Sequence, residues 1–262
     1  MKFHRPFART PLRLVSVAGA ALALGLAWAV PAQASQGSTH CAGGPLSGTY
    51  RNLVVTGECD VVGPVTVNGS VTITGKGAAF SSEYPGSPAV RIRGNVLVSN
   101  GGLFAFGQPT EGCGPEVRAT SVVTGNVVAL KALSVKILCS TVRGNVLSVG
   151  GGYHAQPDCL TNNGVNFPVK DNAIRGNLAV YGWSGCWMGV IRNHVGGNVI
   201  LVGNTSAAFE PGTTNLDGME IVTNTIRANL ACYLNSPHPQ VGDSEGAPNQ
   251  VAGHKLGQCR SL

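Results

Sequence analysis

IRGNV at residues 92–96, VTGNV at 123–127, VRGNV at 142–146, IRGNL at 174–178, VGGNV at 195–199 and IRANL at 226–230 are six spellings of one word. It consists of a β-branched residue, a variable residue, Gly (once Ala), Asn, and then Val or Leu. A weaker copy, VNGSV at 67–71, precedes them, and VAGHK at 251–255 follows. Gly69, Gly94, Gly125, Gly144, Gly176, Gly197, Ala228 and Gly253 mark the copies, and the steps between them are uneven, shortest from Gly125 to Gly144 and longest from Gly144 to Gly176. A segment too short to bury its own apolar face, recurring at such a period, builds a solenoid in which each coil stacks on the last. The expected fold is all-β: a right-handed parallel β-helix of about eight coils with disulfide-braced ends. The short steps that open at Gly125 and Gly176 suit a bare turn, and the unevenness does not fit the strict beat of a hexapeptide helix.

Aligning the copies assigns each position a task. Two residues before the marker stand Val67, Ile92, Val123, Val142, Ile174, Val195, Ile226 and Val251, a uniform row suited to a narrow interior. Two residues after it, Val71, Val96, Val127, Val146, Leu178, Val199 and Leu230 form a second apolar row. The Gly-Asn pair between them reads as a bend, with Gly supplying a φ that other residues adopt at a cost. Asn95, Asn126, Asn145, Asn177, Asn198 and Asn229 then fall above one another, each amide donating to one neighbour and accepting from the other. Asn172, Asn193, Asn224 and Asn249 predict a shorter ladder. The longer steps carry inserts, GQPTEGCGPEVRA (107–119), YHAQPDCLTNNGVNFPVK (153–170) and SAAFEPGTTNLDGME (206–220), which read as surface loops.

The segment 1–34 reads as a signal peptide: Lys2, Arg5, Arg9 and Arg13, an apolar run over 14–30, and the cleavage site Ala32-Gln33-Ala34. Without it, 14 Lys and Arg face 12 Asp and Glu, a net charge of +2, which calls for no nucleic-acid partner. No later run is long and apolar enough to span a bilayer, so a secreted, extracellular or surface-associated protein is expected. The eight cysteines, Cys41, Cys59, Cys113, Cys139, Cys159, Cys186, Cys232 and Cys259, all follow the cleavage site and predict four disulfides. Short-range metal spacings such as C-x-x-C are absent, so neither a metal nor a cofactor is expected. Proximity favours Cys41–Cys59 and Cys232–Cys259; for the inner four, Cys139–Cys159 with Cys113–Cys186 is the pairing considered.

The recurring GN[VL] coil, the segment GTYRNLVVTGEC (48–59) and the NLACYLN…GQC ending (229–259) resemble exported β-helix-like proteins of actinobacteria, mostly of uncharacterised function. The resemblance covers nearly all of the chain after the leader. It implies a secreted parallel β-helix with capping disulfides and brings no catalytic residues with it. The organisation expected is one domain over 35–262, with an N-terminal cap at 35–60, coils over 61–232 and a C-terminal cap at 233–262.

Parallel β-helices often act on polysaccharides, so a polysaccharide lyase or glycoside hydrolase is the alternative to a non-catalytic solenoid. Sugar hydrolysis needs converging carboxylates. The twelve acids are scattered, and only Asp217 with Glu220 near Arg227 forms a candidate group. Serine-triad, P-loop and HExxH patterns are absent. No catalytic residue is therefore assigned. The residue before each marker is Arg93, Thr124, Arg143, Arg175, Gly196 and Arg227 in turn, and if it points outward the arginines form a stripe suited to a linear polyanion. The competing reading is that loop acids, Asp171 among them, neutralise the row. Tyr181, Trp183 and Trp187 around Cys186, with Tyr153 and His154 one coil earlier, could stack on sugars or simply cover a disulfide. Leu97, Val128, Leu147, Ala179, Ile200 and Ala231 should face solvent yet are apolar, which predicts a covering loop, a partner or self-association. The function expected is that of a structural or surface-binding solenoid for cell-wall or other anionic polysaccharide.

Overall fold

From Val90 to Val222 each coil is cut into three short strands because its apolar alternation is interrupted at three places. The coil beginning at Thr141 shows the plan: strand Thr141–Val142, a bend at Gly144, strand Val146–Val149, a second corner, strand Asn166–Lys170, and a third corner before Ala173–Ile174. The computed structural model describes residues 37–83, 86–108, 113, 115–153, 159, 165–207, 218–242 and 246–262. Ser35–Leu262 is one compact unit, and the leader expected at 1–34 lies outside the described residues.

All ladders are parallel. The first sheet stacks ten strands in chain order, from Ser38–Cys41 and Asn52–Val55 through Val71–Thr74 and Val96–Ser99 to Leu230–Tyr233 and Lys255–Gly257. A 15-stranded sheet contains the other two faces of the solenoid. It turns through the strand Glu58–Val67, whose first residues pair with Ala79–Ser81 and whose last pair with Val90–Ile92. The architecture is a parallel β-helix, as the repeat predicted. Eight rungs of the first sheet follow the Gly-Asn word, and two more come from 38–55, within the stretch expected as a cap.

The predicted interior rows are interior. Val67, Ile92, Val123, Val142, Ile174, Val195 and Ile226 are buried, as are Val71, Val96, Val127, Val146, Leu178, Val199 and Leu230. The second face adds larger side chains, with Phe80 and Phe104 at 5.8 Å and Phe104 and Phe106 at 5.2 Å between ring centroids. Stacking like on like at about 4.8 Å per rung leaves no room for volume changes that neighbouring rungs do not match.

The bend at Gly-Asn is present, but its glycines are not there for φ. None of Gly69, Gly94, Gly125, Gly144, Gly176, Gly197 and Gly253 has a positive φ. A Cβ on Gly144 would lie 2.5 Å from both Asn126 Oδ1 and Gly125 O, so close stacking demands the glycine. Where the marker is Ala228, its amide reaches Gly197 O at 3.3 Å, against 2.8 to 3.1 Å at the other steps from Gly94 to Gly253. The left-handed residues occupy the other two corners, with φ between 47° and 63°: Asn100, Lys131, Gly150, Gly182, Gly203, Leu234 and Gly257 at the second corner, and Cys139, Asp171, Arg192 and Thr223 at the third.

Both predicted asparagine ladders form. At the Gly-Asn corner, Asn145 Nδ2 donates to Asn126 Oδ1 at 3.0 Å and Asn177 Nδ2 to Asn145 Oδ1 at 3.0 Å, so each carbonyl oxygen points to the following coil. At the third corner the direction reverses: Asn172 Nδ2 donates to Asn193 Oδ1 at 2.9 Å, and Asn193 Nδ2 to Asn224 Oδ1 at 3.0 Å, all buried. A third ladder, not anticipated, runs the same reversed way at the second corner through Asn204, Asn235 and Gln258.

Four disulfides brace the stack. Cys41–Cys59 and Cys232–Cys259 are as expected. The inner pairs are Cys113–Cys139 and Cys159–Cys186, correcting the Cys139–Cys159 and Cys113–Cys186 alternative. Each insert cysteine meets a corner residue of the following coil, Cys139 just after the strand Ser134–Leu138 and Cys186 just before Trp187–Ile191, so pairing follows chain order. Two inserts also end sooner than expected: Asn166–Lys170 and Met219–Val222 are strands, with Phe167, Val169 and Met219 in the core.

A candidate polyanion-binding face

The short third-face strands alternate in and out, and their last outward position is the residue before the marker. Backbone bonds fix its register: Arg143 N donates to Val123 O, Arg175 N to Val142 O, Gly196 N to Ile174 O and Arg227 N to Val195 O, all at 2.8 to 3.0 Å. Arg93, Thr124, Arg143, Arg175, Gly196 and Arg227 therefore form one row, and all are exposed. The row begins earlier than the sequence word indicated. Asn68 N donates to Tyr50 O, which places Arg51 two rungs before Arg93. Its signal is the RNLV of residues 51–54, hidden because that rung has no marker glycine.

The five arginines span eight rungs, seven steps or about 34 Å at the parallel-strand spacing. Arg143 and Arg175 are on adjacent rungs, where two charges about 5 Å apart repel by roughly 1 to 3 kcal/mol unless they splay or share an anion. Asp171 does not neutralise them. Its carboxylate accepts from Arg192 Nε at 2.7 Å and Arg192 Nη2 at 2.9 Å, a two-pronged pair at the third corner. Glu83 pairs with Lys136 at 3.1 Å. Glu58, Asp60 and Glu220 lie on second-face strands. No carboxylate stands on the described third-face strands; the helix Pro115–Arg118, which contains Glu116, borders them at Arg91 and Thr141.

At the C-terminal half of the row the surface sinks into a cleft of about 480 Å³, lined by Ala173, Arg175, His194, Gly196, Thr225 and Arg227 among others. Gly196 makes the depression: it holds no side chain between two arginines, and a Cβ there would lie 2.2 Å from Arg175 O. His194 and Thr225 are adjacent in the parallel outward row and add hydrogen-bonding groups beside the guanidinium forks. This arrangement can hold carboxylate, sulfate or phosphate groups without moving backbone.

The aromatic residues do not join it, nor one another. Trp183 is 1% exposed, packs edge-on to Phe167 at 5.4 Å and donates from Nε1 to Leu133 O at 3.2 Å. Trp187 lies on the outer second face across Gly189, with Lys170 Nζ 5.7 Å from its ring centroid. Tyr181 is on the outer first face, half-buried, and burial raises its phenol above the usual tyrosine range. The sugar platform drawn from these three residues is thus replaced by a core tryptophan, a covered tryptophan and a tyrosine on a third surface. His154 and Asp217 lie outside the described residues. Among those described, the one close group of metal-ligand types is Cys113, Cys139 and Asp171, and it is closed by the disulfide and by Arg192.

Comparison with family models, curated proteins and solved structures returned no match, so the reading of this face rests on its own geometry. The four disulfides fit an oxidising compartment. No described helix is long and apolar enough to cross a membrane.

Proposed function

We propose that this chain acts outside the cell as a non-catalytic binding solenoid, holding a linear anionic polysaccharide, of the cell wall or of another source, along its third face. The observation that carries the reading is the in-register row Arg51, Arg93, Arg143, Arg175 and Arg227 on strands of the third face that carry no carboxylate. A row of guanidinium forks matches a polymer better than a compact anion, because five of its eight rungs each contribute one contact and the rungs are fixed in line. The leader-like segment 1–34 and the disulfides support an extracellular setting.

The test is binding of the oxidised chain 35–262 to acidic and neutral glycans and to isolated cell wall, over a range of salt. Five contacts released together give a logarithmic salt slope of roughly −3 to −4, and Arg143→Ala with Arg175→Ala should reduce its magnitude by about 1.4. Salt-independent binding, or binding indifferent to those substitutions, would remove the arginine row as the site. Shortened chains or new unsaturated ends in the bound glycan would assign catalysis instead and make the lyase or hydrolase reading the correct one.

A further inference from the structure

The outer first face is the reverse of the arginine face in chemistry. From the rung Val96–Ser99 to the rung Lys255–Gly257, its outward positions are Leu97, Ser99, Val128, Leu130, Leu147, Val149, Ala179, Tyr181, Ile200, Val202, Ala231, Tyr233 and Leu256. None is charged. Leu130 is 44% exposed, Val149 41% and Tyr233 44%, and Leu234 beside Tyr233 projects almost wholly into solvent. Strands such as VVAL, LAVY and VILV are apolar on both sides, the composition of parallel sheets that are covered on both faces. Here one side is the core, and among the described residues nothing covers the other.

We infer that this face docks a second copy of the same chain, sheet against sheet. Seven rungs by four residues give about 450 Å² of projected area per copy from the strand and residue spacings. The relief of Leu130, Val149, Tyr181 and Tyr233 and the adjoining Thr72 and Thr74 rung enlarge it. With that rung included, a face-to-face pair covers about 1,000 Å², the size of a weak, concentration-dependent contact. Lys131 stands at the border, in the corner column of Leu234, but the face itself leaves an ionic partner nothing to pair with. What the surface complements is another flat, uncharged sheet, and two copies related by a twofold axis present identical ones at the usual sheet-packing distance of about 10 Å. The rung Leu178–Tyr181, in the middle, lies at the axis. The contact leaves the third face of both copies free.

Sedimentation velocity of oxidised 35–262 from about 1 to about 100 µM, the range in which an interface of this size associates measurably, tests the proposal. A concentration-dependent dimer, unweakened by salt, is expected. Leu147→Lys with Ile200→Lys, both outward and off the core, should give a monomer with unchanged circular dichroism. Should that variant misfold, Leu147→Thr with Ile200→Thr keeps strand propensity and should weaken the dimer tenfold or more. A wild type that stays monomeric throughout overturns the inference, and so does a dimer that survives either folded variant. Arg143→Ala with Arg175→Ala should stay dimeric while losing glycan, so failure of this face and failure of the arginine face register separately.

Discussion

Gly144 sits outside the left-handed region, yet a methyl group there would meet the asparagine and the glycine carbonyl of the coil before it at 2.5 Å. Gly144→Ala should therefore cost about 1 to 3 kcal/mol through overpacking, whereas Ala228→Gly should change stability by under about 1 kcal/mol, because relief of the stretched 3.3 Å step offsets the added chain entropy. Denaturant midpoints of the two variants check this. The asparagines divide by burial. Asn193 is wholly buried, accepts from the amide and side chain of Asn172, and donates to Val169 O and Asn224. Asn193→Ala strands several buried groups and should cost about 3 kcal/mol or more, against about 1 to 2 kcal/mol for the half-exposed Asn177→Ala. Equal losses would mean that solvent access to the ladder does not matter. Tyr181 adds a pH term. Its folded phenol titrates above its unfolded value because burial disfavours the anion, so its contribution is intact below the ordinary tyrosine range and is lost as pH rises through the raised pKa. Tyr181→Phe should make alkaline unfolding begin at higher pH, as followed by circular dichroism.

At the scale of the strand and the coil, periodicity made the fold legible. Rows two residues either side of the marker could be assigned because a strand alternates strictly and the word repeats it eight times. The long ladder was legible for the same reason. The ladder of Asn204, Asn235 and Gln258 was not, since its members are few, the last is a different residue, and corner positions carry no alternation. Arg51 was missed because its rung lacks the marker glycine, and Gly196 drew notice only as a gap in the arginines, since a cleft is a property of three adjacent rungs and not of one coil. The aromatic group misled because nearness in sequence across a corner places Tyr181, Trp183 and Trp187 on different surfaces. The terminal disulfides were readable from proximity, whereas the inner pairs depend on where inserts cross. The closing disulfides also make a prediction at this scale. Cys41→Ala with Cys59→Ala opens a link of 18 residues and should lower stability by about 3 kcal/mol, with amide exchange rising first in the rungs Ser38–Cys41 and Asn52–Val55.

For the molecule as a whole, the three outer surfaces differ in kind: one uncharged, one bearing both signs of charge with Glu58, Lys136 and Lys170 on its strands, one lined with arginine. Joined through the first, two copies would offer two arginine rows to the same or different polymer chains. Attachment to immobilised polyanion should then dissociate more slowly than the Leu147→Lys with Ile200→Lys variant by tenfold or more, as measured by surface binding at equal site density. The opposed asparagine ladders bear on how such a polymer is met. At the Gly-Asn corner the amide oxygens look toward the C-terminal end, and at the other two corners they look back toward the N-terminal end. An α-helix sums its peptide dipoles into a field at each tip, but here the side-chain dipoles largely cancel along the axis. The ladders thus give the solenoid no electrical head or tail of their own, and they would set no direction for a polymer held along the proposed arginine row.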